Sequence, residues 1–217
     1  MPNYAMDSNA TAAQTAASMN ALSVTPLPWN ALKELDEAGF VARLGTVVEY
    51  APWVAATAWS ARPFAHWDAL YQALALAIHG ADTPRQLALL RGHPELAGQE
   101  ARAGSMTTDS QGEQGRLGLL ALDAPTIARI ASINQRYRER FGYPFVVALR
   151  LHTSLASVFQ DGEQRMAHDE TTELRTALQQ VCEVMRGRLA NAVTPFPFPC
   201  PSPAVNTPTS TPSESPS

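Results

Sequence analysis

Two short stretches of this sequence carry side chains that could move protons or grip a polar ligand. The first is Arg91-Gly92-His93-Pro94-Glu95-Leu96-Ala97-Gly98. His93 stands between a glycine and a proline, just past a helical run, on backbone stiffened by the proline ring. Imidazole is the natural proton-transfer group near neutral pH, although an ordinary surface-loop histidine would leave the same mark. The second stretch is Thr107-Thr108-Asp109-Ser110-Gln111-Gly112-Glu113-Gln114. On a helix, Ser110, Glu113 and Gln114 fall at i, i+3 and i+4 and share one face, which Leu117 continues as an apolar residue. The same letters read as capping boxes, Ser110 with Glu113 or Thr108 with Gln111, and both cannot define one helix start. With Thr108 as the cap, Ser110 and Glu113 are left for chemistry; with Ser110 as the cap, they are not.

The remaining polar residues narrow the chemistry. Arg62, Arg150 and Arg188 sit beside apolar stretches, where a guanidinium can clamp a carboxylate or a urea-like carbonyl. The other histidines, His66, His79, His152 and His168, show no familiar metal-ligand spacing, so no metal site is expected. Cys182 and Cys200 fit neither a zinc site nor a redox pair; a buried thiol and a stray one in a reducing cytoplasm is the simpler reading. There is no P-loop, dinucleotide turn, His-Glu-x-x-His or nucleophile elbow, so no cofactor is expected.

Positioning these residues requires a folded core, and the composition permits one: 45% of the 217 residues are hydrophobic and 17% charged. A net charge of -4 argues against a general nucleic-acid binder, and no apolar run is long enough to span a membrane. Residues 1–25 are rich in Ala, Ser, Thr and Asn, without the basic start of a secretory signal, and read as a disordered lead-in. Residues 194–217 are rich in Pro, Ser and Thr and read as a disordered tail or a linker, since such composition cannot offset its ordering entropy. One domain is expected between them, at 26–193.

Its dominant period is helical. Helices are expected over Ala31–Leu44, Tyr50–Ala61 with Pro52 in the first turn, and Asp68–Ile78 with a Leu70, Leu74, Ile78 stripe. Others follow from a Thr83 cap to Leu90, over Thr108–Leu122, from Pro125 to Arg140 with a stop at Gly142, and over Thr171–Ala192. Phe145–Leu149 is either a short strand or an extended approach to a further helix. Most of the four tryptophans read as core, with Trp53 as a candidate pocket wall. The fold class is all-α: a single-domain bundle of about seven or more helices.

In order along the chain, several of these segments resemble one family, the 2-oxo-4-hydroxy-4-carboxy-5-ureidoimidazoline decarboxylases. The matching segments are Phe40–Trp53, Arg62-Pro63-Phe64 and His93-Pro94-Glu95-Leu96-Ala97-Gly98. Ser110-x-x-Glu113-Gln114 follows, then the block from Asn134 through Tyr137 and Arg140 to Val147, and Glu173, Arg188 and Leu189 in the last helix. Each motif alone is weak; their order and spacing carry the resemblance. Leu149-Arg150-Leu151-His152 departs from the glycine-containing turn of many relatives.

The resemblance implies a cytoplasmic carboxy-lyase that yields S-allantoin in urate breakdown. Loss of carbon dioxide would push electrons into the substrate's own ring imine, which would explain why no cofactor motif is present. His93 and Glu113 are the implied catalytic residues, His93 handling the proton and Glu113 accepting from ureido or ring N–H groups. Pro94, Ser110, Gln114, Arg188 and the backbone of Phe145, Val146 and Val147 are the implied substrate-binding set. The implied partners are a small-molecule substrate, with neither nucleic acid nor membrane, then a homodimer and a functional link to a transthyretin-like 5-hydroxyisourate hydrolase. Two rivals stand beside this reading: a helical interaction module without activity, and a metal-assisted hydrolase of purine breakdown.

Overall fold

A computed structural model describes residues 25–98, 112, 115, 117, 119 and 122–194. Among them the chain is an all-α single domain of eight α-helices with one short 3-10 turn. The helices are α1 (Trp29–Lys33), α2 (Glu37–Leu44), α3 (Pro52–Trp59), α4 (Trp67–His79), α5 (Thr83–Arg91), α6 (Ala124–Phe141), α7 (Leu155–Arg165) and α8 (Glu170–Ala192), with the 3-10 turn at Leu149–Leu151.

Short polar side chains set most helix starts. Asp36, Asp82, Asp123 and Asp169 each accept a hydrogen bond from the backbone N–H three residues on, satisfying a donor the helix cannot pair internally. These caps explain several departures from expectation. The run Ala31–Leu44 divides into α1 and α2 because Asp36 starts a new helix, and Arg62 takes the Lys33 and Leu35 carbonyls that the break exposes. Helix α5 is capped by Asp82, not Thr83, which instead joins Pro84 in the first turn. Gly142 ends α6 in the left-handed region, at φ 79°, where a residue without Cβ is favoured. Helix α7 is the further helix that the second alternative for Phe145–Leu149 allowed, although its bounds were not readable from the sequence; Ser154 caps it and Val158, Phe159 and Gly162 form its buried face. The expected Thr108–Leu122 helix lies almost wholly outside the described residues.

Helix α8 organises the domain. It packs against α2, α4, α5, α6 and the 3-10 turn, and buries Ala177, Leu178, Val181, Cys182, Met185 and Leu189. A single parallel bridge between Leu27 and Val193 ties the start of the described chain to the end of α8. No strand occurs among the described residues. Phe145–Ala148 is extended but pairs with no neighbour in a sheet, and three of its backbone groups bond to side chains instead.

Candidate active site

Helix α5 ends at Arg91, with Gly92 at its C-cap, and the His93 N–H donates to the Leu90 carbonyl at 3.3 Å. This last turn fixes where the imidazole leaves the helix, and Pro94 then forbids its continuation. The loop closes on itself: Ala97 adopts φ 46°, and Gly98 N–H donates to the Glu95 carbonyl at 3.2 Å. A Cβ at Gly98 would lie 2.7 Å from that of Glu95, so only glycine fits the turn. Leu96 plugs the core at 6% exposure, and Arg138 of α6 pairs with Glu95.

Around this loop opens a cleft of about 670 Å³, lined by residues 91–98 together with Tyr50 and the α6 residues Ile127, Ala131, Asn134 and Arg138. Tyr50 also lines a neighbouring pocket of about 320 Å³ walled by Glu49, Trp53 and Arg85. Its backbone is left-handed, with φ 57°, which costs a non-glycine residue energy and occurs most often at functional sites.

A buried ion pair lies close enough to His93 for its charges to act on the ring. Arg188 Nη1 stands 3.1 Å from Glu49 Oε2, with both side chains at least 96% buried. His93 as a whole residue is partly exposed at the cleft, yet protein encloses its ring and disfavours the charged form. Burial, and then the Arg188 guanidinium, hold its pKa down to about 4, while Glu49 opposes them. The ring is therefore neutral at pH 7 and able to accept a proton. Sequence reasoning passed over Glu49. Its only signal was a carboxylate inside the apolar run Val47-Val48-Glu49-Tyr50-Ala51, where a charge needs a partner.

The extended segment Phe145–Ala148 is pinned at three points. Phe145 N–H donates to Asn134 Oδ1 at 3.2 Å, Ala148 N–H to Gln180 Oε1 at 2.8 Å, and the Val146 carbonyl accepts from Arg165 Nη1 at 3.0 Å. Of the three backbone donors expected here, that of Phe145 is thus taken by Asn134. The N–H groups of Val146 and Val147 make no hydrogen bond among the described residues, although both residues are buried.

The structure places His93, Pro94 and Asn134 on the cleft lining and Arg188 near enough to act on His93, whereas Arg188, Phe145, Val146 and Val147 are not among the lining residues; Asn134 connects the loop to Phe145. Ser110, Glu113 and Gln114 lie outside the described residues. The other two arginines have structural work. Arg62 stacks over Trp59 at 3.8 Å while holding the carbonyls at the α1–α2 break. Arg150 pairs with Glu183 and lies across Gly187 of α8. His66 caps α4, His79 lies 3.6 Å from the buried thiol of Cys182, and His168 bonds Glu173. Among the described residues no cluster of three or more potential metal ligands occurs, and no helix is long and apolar enough to cross a membrane.

A family model described as OHCU decarboxylase matches residues 33–190. The chain is 38% identical over 160 residues to the mouse 2-oxo-4-hydroxy-4-carboxy-5-ureidoimidazoline decarboxylase, covering 74% of this chain and 89% of the mouse protein. It is 36% identical over 172 residues to the enzyme of that name from Halalkalicoccus jeotgali, covering 79% and 95%. The fold is similar to that of a crystal structure of (S)-allantoin synthase, with a TM-score of 0.57 at 23% identity, over 76% of this chain and 53% of the other.

Proposed function

The chain belongs to the OHCU decarboxylase family, and on that premise we propose that the His93 cleft is where it removes carbon dioxide from 2-oxo-4-hydroxy-4-carboxy-5-ureidoimidazoline. The protein is a carboxy-lyase of urate degradation whose product is S-allantoin. The observation that carries the siting is a neutral imidazole at the head of a cleft, beside a buried guanidinium–carboxylate pair.

The substrate holds a carboxylate and a hydroxyl on one ring carbon, next to an imine carbon that bears the ureido group. When the carbon–carboxylate bond breaks, its electron pair forms a double bond to the imine carbon, and the imine electrons move to the ring nitrogen, which takes a proton. The resulting enol then loses its hydroxyl proton, and the ureido-bearing carbon gains one from a single face. Neutral His93 can accept the hydroxyl proton and return a proton to carbon, a role worth roughly 10²–10⁴-fold. Pro94, next in the chain, also lines the cleft and by resemblance would contact the substrate. Arg188, kept in line by Glu49, would pair with an anionic or carbonyl oxygen of the substrate. By resemblance, the Val146 and Val147 N–H groups would be donors for a ring oxygen as charge moves into the ring. By resemblance, Glu113 would accept from ureido or ring N–H groups, Gln114 would orient the ring or His93, and Ser110 would hold the substrate or Glu113.

The substrate's carboxylate is the kind of group a ring-opening hydrolysis exposes, which supports a functional link to a transthyretin-like 5-hydroxyisourate hydrolase. The direct test generates the unstable substrate in situ from urate and follows its disappearance. Addition of the protein is expected to speed its loss well beyond the spontaneous rate. Unchanged decay with folded protein would sink the reading.

A further inference from the structure

The His93 loop that lines the cleft and the extended Phe145–Val147 segment behind Asn134 come from distant parts of the sequence, and one buried side chain is bonded to both. Asn134, on α6, is 2% exposed and lines the cleft. Its Nδ2 donates to the Leu96 carbonyl at 3.3 Å, in the loop that carries His93. Its Oδ1 accepts from the Phe145 N–H at 3.2 Å, at the head of the extended segment. Neither segment is held by regular secondary structure at these points: the loop follows a helix end, and the Phe145–Val147 stretch has no sheet partner. Each side of the amide therefore meets a backbone group that would otherwise be buried and unpaired.

We propose that Asn134 is a positioning residue that sets the separation between the His93 loop and the Phe145–Val147 segment. The proposal rests on the reading of this cleft as the decarboxylation site. A carboxamide is suited to the task because it offers a donor and an acceptor on one rigid plane. An aspartate of the same shape keeps the acceptor for Phe145 N–H but turns a second acceptor towards the Leu96 carbonyl, so it releases the loop while holding the segment. The neighbouring ties act on the extended segment only: Gln180 holds the Ala148 N–H, and Arg165 holds the Val146 carbonyl.

If Asn134 sets this spacing, its loss should act on turnover more than on substrate capture, because an ångström of misplacement costs reacting groups on the order of 10²-fold in rate. The test measures kcat, KM and thermal unfolding for wild type, Asn134→Asp and Asn134→Ala, on substrate generated in situ. The expected result is a kcat lowered at least 30-fold in folded Asn134→Asp, with KM changed less than threefold. Asn134→Ala is expected to fall further in kcat. A variant that is folded at the assay temperature with kcat within about twofold of wild type would overturn the proposal, whatever its loss of melting temperature. Should Asn134→Ala not fold, the isosteric Asn134→Asp decides alone. Wild-type protein without activity would instead refute the reading of the site.

Discussion

Replacing His93 with alanine is expected to lower kcat by roughly 10²–10⁴-fold while leaving a folded protein. The residue follows a helix end, lines the cleft and is no part of the apolar core, so its truncation opens space at the cleft. What it removes is the group placed to take the hydroxyl proton. The pH dependence follows from the same surroundings. In the native chain the ring's pKa is held near 4, below its ordinary 6.5, by burial and by Arg188. The working base is the neutral form, so kcat/KM in the wild type should stay level from neutral pH towards 5 and fall as pH drops through about 4. Stability moves the same way. Between pH 6.5 and about 4 the unfolded chain binds a proton on this ring that the native chain refuses, so this contribution is present above 6.5 and is lost as pH falls through the window. Measuring kcat, its pH profile and circular dichroism of His93→Ala checks both. A folded variant with wild-type turnover would remove His93 from the mechanism.

The largest expected loss of stability comes from Glu173→Ala, at about 3–5 kcal/mol. Glu173 is fully buried and accepts from Arg165 Nη2 at 2.5 Å and from His168 Nδ1 at 2.8 Å. Arg165 is itself buried and also meets Asp161 and the Val146 carbonyl. Removing the carboxylate would leave a guanidinium enclosed by Tyr137 and Phe145 without its main counter-charge. A chain of this length should lose about 2–4 °C of melting temperature per kcal/mol, so the drop should exceed about 6 °C. The companion test is Arg165→Met with Glu173→Leu, which removes both charges and should recover much of the loss. Urea unfolding reads both variants. A Glu173→Ala protein as stable as wild type would show that the pair contributes little.

The sequence made some of this architecture legible and hid the rest for physical reasons. Helices α4, α5, α6 and α8 were readable because a periodic apolar face and a proline, aspartate or glycine at an end pointed to the same boundaries. The division of Ala31–Leu44 was hidden because the apolar period continues across Asp36; the Asp36 cap and the contacts of Arg62 with two distant carbonyls mark the break. Helix α7 was hidden because its apolar face is short and opens with Ser154, a residue equally at home in a turn. His93 was legible as a chemical group, but its neutrality was not. That depends on burial and then on Arg188, 95 positions away in the sequence, acting against the opposing pull of Glu49, which pairs with Arg188 at 3.1 Å. Asn134 was visible only as part of a motif, since its work is done on two backbone groups that sequence patterns do not mark.

The central claim is that the cleft delivers a proton to one face of the ureido-bearing carbon. It is tested most directly by the handedness of the allantoin formed when the substrate is generated from urate in the presence of the protein. The account predicts optically active S-allantoin with wild-type protein, and a racemic product, from spontaneous decay, with His93→Ala. Racemic allantoin from the folded wild-type protein would contradict it.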